Sequence, residues 1–230
     1  MNKENIFKMI VIVISILILG LGVGLLRISS FGTDPFSCMD LGISMILREK
    51  LGLHFMTFGV WQIIMNGILL ILVFFLKPKT IGFGTVVNMV FVGLSADMWV
   101  YGINHIFGND FSIWMRGIIL ILGVIAICLA VAVYMACDLG IAPYDAIGVI
   151  IEERTKGKIT FRWGRIITDC ICVAIGFSCA SFLGNQWEIT GIGTLIMAFG
   201  TGPLVQFFRK HVAEKIIKQN QLLTTREGNT

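Results

Sequence analysis

Residues 31–36 read Phe-Gly-Thr-Asp-Pro-Phe, and residues 139–144 read Leu-Gly-Ile-Ala-Pro-Tyr. Each stretch carries a glycine three residues ahead of a proline, with an aromatic ring directly after it, and each interrupts a long apolar sequence. Proline suits the first turn of a helix, where its missing N–H costs nothing. Short helices are therefore expected to start at or just after Pro35 and Pro143. The apolar runs that follow, residues 36–47 and 144–151, reach at most about 18 Å at 1.5 Å per residue. Crossing a hydrocarbon core takes roughly 20 apolar residues, so these two helices fall short.

Runs of spanning length flank them, near residues 6–26, 57–76, 82–103, 113–136, 161–183 and 190–208. Only 14% of the chain is charged and 56% is hydrophobic, against about 25% charged in soluble domains; the mean hydropathy is +0.87. Lipid cannot satisfy free backbone groups, so the runs are read as helices, and no alternating pattern of a membrane strand occurs. Lys3 and Lys8 ahead of the first run resemble the start of a signal peptide. The run is too long for one and no small-residue cleavage site follows, so an uncleaved first span is expected. The net charge of +4 comes mostly from short loops and the tail, where topology rules account for it. It does not point to nucleic acid.

The two proline motifs belong to an internal repeat. Val23, Gly32, Pro35, Phe36 and Ile43 match Val131, Gly140, Pro143, Tyr144 and Ile151 at one constant offset. Phe58-Gly59 then matches Trp163-Gly164, and Gly84-Thr85 with Gly93 matches Gly193-Thr194 with Gly202, after small shifts that fall in loops. The expected architecture is an all-α polytopic membrane domain over residues 1–210. It holds two related halves, near 6–107 and 113–210, each reading span, short helix, span, span, and a polar tail follows at 211–230. If the short helices only dip into the bilayer, there are six spans and the halves are inverted. If they cross, there are eight and the halves are parallel. With a cytoplasmic N-terminus, six spans leave Arg27, Arg48, Lys50 and Arg116 outside, and eight leave Arg27, Lys77 and Lys79 outside. Positive charge does not separate the layouts; the shortness of 144–151, which runs into Glu152-Glu153-Arg154, favours six. Both layouts put the N- and C-termini in the cytoplasm of a plasma-membrane protein.

These residues resemble the YczE-like group within the YczE/YyaS/YitT family of bacterial membrane proteins. In the first half the resemblance rests on Gly32-Thr33-Asp34-Pro35-Phe36 and on the run from Gly82 to Asn88, continuing to Val92-Gly93-Leu94. In the second it rests on Gly140 to Asp145, on Arg165, and on Gly191-Ile192-Gly193-Thr194 through Gly202-Pro203. The resemblance implies a fold and a membrane location and hardly any chemistry.

Ionisable groups inside apolar segments are the usual functional suspects. Asp34 stands where an N-cap belongs and Asp145 lies in the first turn after Pro143, so free N–H groups and the helix dipole favour a carboxylate at both. The same geometry, at broken-helix ends near the midplane, builds ion and substrate sites in transporters. Asp40, one to two turns into the first short helix, and Asp97 have no visible cap or partner, which makes them candidates for proton coupling or cation contact. Arg165 and Asp169 are one turn apart and read as a pair. Gln62, Asn66 and Asn88 suit interhelical hydrogen bonds, with Asn88 also a candidate contact for a solute. Gly84, Gly93, Gly193 and Gly202 suit close helix contact. Trp99 and Tyr101 suit interfacial anchoring. Cys38, Cys128, Cys137, Cys170, Cys172 and Cys179 have no zinc-ligand or C-x-x-C spacing and read as packing residues. No G-x-S-x-G, H-E-x-x-H or phosphate-binding loop is present. Neither an enzyme, a metal nor a cofactor is expected. Two readings remain: a transporter of a small molecule or ion, and a non-transporting membrane protein that assists a partner. The expected partners are the bilayer and an unidentified small molecule or ion, with a second copy or another membrane protein as candidates.

Overall fold

The computed structural model describes residues 3–56, 58–108, 110–184 and 189–219; residue 57 of the expected second span, and residues 220–230 of the tail, lie outside them. These residues form helices α1 (Lys3–Ser29), α2 (Pro35–Glu49), α3 (Phe58–Leu76), α4 (Phe83–Phe107), α5 (Ile113–Ala136), α6 (Pro143–Arg154), α7 (Phe161–Ser181) and α8 (Ile192–Phe208). No strand occurs among the described residues. Among the described residues four helices are long and apolar enough to cross a membrane: α1 from Glu4, α4, α5 and α7. Apolar α3 is shorter by the same measure, and α8 has 17 residues with Pro203 inside it. The short helices start at the prolines, and α6 runs on through Glu152–Arg154. A π-helical turn at Arg209–Ala213 carries α8 into the tail.

The α1–α5 pair forms the centre. In lipid, helices gain little from burying apolar surface against one another, so close approach and hydrogen bonds decide the packing. Gly20, Gly22 and Gly24 supply that approach on opposite faces of α1. A methyl group at Gly22 would meet Ile127 Cγ1 at 2.6 Å, and one at Gly123 would meet Leu25 Cβ at 3.2 Å; α1 and α5 are therefore antiparallel. Methyl groups at Gly20 and Gly24 would collide with Ser95 and crowd Val100 respectively, so α4 lies along α1 in the same direction. Ile12, Ile16, Leu26, Ile127 and Tyr134 fill the seam. α8 packs on α5, α2 on α7, and α3 on α6.

Two junctions close the breaks in the chain, and they use matching residues. After α1, the Phe31 carbonyl accepts from Gly193 N–H at 2.8 Å; after α5, the Leu139 carbonyl accepts from Gly84 N–H at 2.8 Å. A carbonyl freed at one helix end thus meets an N–H freed at another helix start. Gly82 N–H donates to Thr85 Oγ1 at 3.1 Å, and that hydroxyl donates to the Ile141 carbonyl at 2.8 Å. At the other junction Gly191 N–H donates to Thr194 Oγ1, and that hydroxyl donates to the Ile189 carbonyl, both at 3.4 Å. Both turns require glycine: Gly32 has φ +105° and Gly140 has φ +100°, a region costly for residues with a Cβ.

Some sequence expectations change. Gly93 is looser than the other three motif glycines, with Gln62 Oε1 at 3.4 Å from where a methyl would stand. The Asn66 amide donates to the Gln62 carbonyl of its own helix at 3.0 Å, not across helices. Trp99 Nε1 donates to the Leu17 carbonyl at 3.1 Å, which ties α4 to α1.

Gly84→Leu and Gly193→Leu are expected to destabilise by more than the roughly 1–3 kcal/mol usual for overpacking, because backbone stands in the way at both. Gly102→Leu and Gly117→Leu face open space and should leave folded yield and melting temperature in detergent unchanged. Wild-type melting of the Gly84 and Gly193 variants would overturn the packing role.

Candidate functional site

The first turns of α2 and α6 meet inside the protein. The rings of Phe36 and Tyr144, the residues after the two prolines, stack with centroids 4.6 Å apart. Cys172 on α7 and Met65 and Leu69 on α3 pack around them. Asp34 caps α2, accepting from Ser37 N–H at 3.1 Å. Asp145 does not cap α6, a correction to the expectation for it. Its carboxylate is taken by Arg165 Nη1 and the Tyr134 hydroxyl, because α7 and α5 bring stronger donors than the helix start offers.

Arg165 is the hub. It pairs with Asp145 on one side, and its Nε lies 3.2 Å from Asp169 Oδ1 on the other. Its guanidinium sits 4.4 Å from the centroid of the Tyr144 ring, a cation–π contact. The Tyr144 hydroxyl donates to Asp169. Asp169 is fully buried and Arg165 is 9% exposed. One guanidinium faces two carboxylates, so with all three ionised the triad holds one excess negative charge. Both tyrosine hydroxyls supply extra donors to the carboxylates, which satisfies the surplus lone pairs.

Asp40, on α2, is 0% exposed, and neither carboxylate oxygen has a hydrogen-bond partner. Asp97 differs from the expectation of an unpartnered carboxylate. It pairs with Arg27 at 2.5 Å and its side chain is 70% exposed. The parallel course of α1 and α4 creates that pair, and neither helix's own periodicity reveals it. Asn88 is half-buried on α4, which packs mainly on α1 and supplies nothing to the triad. Gly32, Pro35, Gly140 and Pro143 shape the two helix starts, while Gly84, Gly193 and Gly202 serve close contacts.

Sequence reasoning missed Tyr134 and gave Tyr144 and Phe36 no role beyond the repeat. Tyr134 is a lone phenol in an apolar helix; only its position eleven residues before Asp145 hints at a shared cluster. A cleft of about 710 Å³ opens nearby, lined by Glu152, Arg162, Gln206, Arg209 and Lys210. Buried Met135 and Phe161 also line it: Met135 follows Tyr134 in sequence, and Phe161 precedes Arg165 by one turn.

The chain belongs to DUF6198. This is a family of unknown function, matched over residues 6–210. The chain is 30% identical over 210 residues to YyaS of Bacillus subtilis, an uncharacterized protein, covering 90% of this chain and 95% of the relative. It is 26% identical to an uncharacterized protein of Haemophilus influenzae, over 88% of this chain and 84% of the other. YczE of Bacillus subtilis, an uncharacterized membrane protein, is 24% identical over 90% of this chain and 87% of its own length. No solved structure matches. With its apolar helices and this relative, the chain is a membrane protein.

Removing Arg165 strands two buried carboxylates, whereas removing one carboxylate leaves the guanidinium a partner. Breaking a buried pair costs about 3–5 kcal/mol. Arg165→Gln is therefore expected to lose more stability than Asp145→Asn or Asp169→Asn, as read by thermal melting of purified protein. Equal melting of all three would contradict the hub role.

Proposed function

We propose that this protein is a plasma-membrane transporter of a small solute, passed where α2 and α6 begin. The carrying observation is the meeting of two helix starts inside the protein, beside the buried Asp145–Arg165–Asp169 triad. Broken helices at the midplane supply binding groups in transporters, and intramembrane charges mark solute and ion paths. Here Asp34 already occupies one helix start and Asp145 the other, while the triad is acidic on balance. That charge favours a cationic solute over an anion. In this reading the cleft lined by Phe161 and Met135 serves as one approach to the site.

The reading takes six spans in two inverted halves, with both termini cytoplasmic. Three observations support it. α1 and α5, the first helices of the two halves, are antiparallel, whereas parallel repeats would run them the same way. α1 and α4 are parallel, as an even number of crossings between their starts, those of α1 and α3 with α2 re-entrant, requires. Lys77 after α3 lies 2.7 Å from Glu153 at the end of α6, and only the six-span layout puts these residues on one side. In that layout cysteines at Lys50 and Lys158, in a background freed of native cysteines, react with impermeant reagents from opposite sides. Reaction from the same side rejects the inverted layout.

The internal satisfaction of the triad favours a second reading, a rigid membrane protein that assists a partner. Flux separates the two. The chain reconstituted into liposomes should move at least one member of a panel of small organic and inorganic cations, and Arg165→Gln should abolish the movement. Wild-type liposomes no leakier than empty ones across the panel would favour the accessory role.

A further inference from the structure

Asp40 is a buried carboxylate that the triad does not use. It lies on the sixth residue of α2, past the first turn, so the free N–H groups of the helix start do not reach it. The elements packed on α2 are α3, α7 and α8, and the first turn of α6 meets it through Tyr144; from there Tyr144 donates to Asp169, and Asp145 is like-charged and held by Arg165 and Tyr134. Neither α3 nor α8 carries an ionisable residue. From α7 come Cys172, Cys179, Asp169 and Arg165; Arg165 is engaged by Asp145 and Asp169. On its own segment Asp34 is like-charged and Arg48 is exposed. An ionised carboxylate without a donor or cation is expensive in such a place, so Asp40 needs a positive partner that the chain does not provide.

We propose that this partner is an exchangeable proton and that Asp40 is the coupling site of the transporter, a proposal that rests on the transport reading above. Metal cations are held by several oxygen or sulfur ligands at once. No group of three His, Cys, Asp or Glu residues that could hold one occurs among the described residues. A proton needs a single carboxylate. The position suits coupling: Asp40 lies one turn from Phe36, whose ring stacks on Tyr144, so gaining or losing charge there changes the environment of the solute path. The step is a proton transfer between Asp40 and water when the path opens, with no bond to the solute.

Two measurements test this. Infrared spectra of the purified chain in lipid at neutral pH should show a protonated-carboxyl carbonyl stretch that shifts in heavy water. Asp40→Asn should lose that band, while Asp145→Asn and Asp169→Asn keep it and sodium or potassium leaves it unchanged. Asp40→Asn should melt no lower than wild type, because it removes a buried ionisable group. In liposomes, flux driven by a pH gradient should fall to background in Asp40→Asn while downhill exchange persists. Absence of the band, its persistence in Asp40→Asn, or sodium raising the melting temperature of wild type alone would overturn the proton site. Proton-driven flux surviving in Asp40→Asn overturns the coupling and leaves the transport reading standing. No flux from wild type under any gradient removes the transport reading, and coupling with it, while the spectra decide the proton site by themselves.

Discussion

The hydrogen bonds from Gly193 N–H to Phe31 and from Gly84 N–H to Leu139 hold the two places where the chain breaks after α1 and after α5. A chain that leaves a helix in lipid frees carbonyls that water cannot reach, and each one unsatisfied costs several kcal/mol. Here the freed carbonyl of each half is met by a freed N–H of the other. The two junctions therefore cannot open without leaving these backbone groups unpaired. The glycines at 32, 84, 140 and 193 follow from this arrangement, since any side chain would push the two backbones apart.

Closing the breaks in this way sets the position of α2 and α6. Both start inside the protein and bring Phe36 against Tyr144. With the starts fixed, α7 lies along α2 and delivers Arg165 to Asp145, while Asp169 sits one turn further. The charged centre is a consequence of the junctions. It is also costly to build, because three ionisable groups leave water together. Two tyrosine hydroxyls and an aromatic face offset that cost, which is why Tyr134 and Tyr144 belong to the centre as much as the charges do. Asp40 lies outside this mutual satisfaction, although it is on the same helix as Phe36.

The halves match in their junctions and differ in their contents. The Asp145–Arg165–Asp169 triad belongs to the second half alone, and Asp40 belongs to the first, where Gly148 is its counterpart. The two junctions thus match in backbone while the charged groups around them do not. α3 and α4, in the first half, are the more exposed pair, with Phe75 78% exposed and Tyr101 75% exposed, as surfaces against lipid tails are.

The sequence by itself determined the helical membrane class, the two short helices at Pro35 and Pro143, and the pairing of Arg165 with Asp169. Each depends on neighbours within a few residues: apolar length, proline geometry, or a one-turn spacing. It could nominate Asp34, Asp40, Asp97 and Asp145 as ionisable groups in apolar segments, but it could not sort them. Tertiary structure alone did that. Asp97 found Arg27 seventy residues away in sequence because α4 lies parallel to α1. Asp145, in the first turn of α6, is taken by Arg165 and Tyr134 because α7 and α5 converge there. Asp40 was left without a partner because α3 and α8 bring none. Whether a carboxylate is paired depends on which helices pack beside it, and that information is distributed over the whole chain.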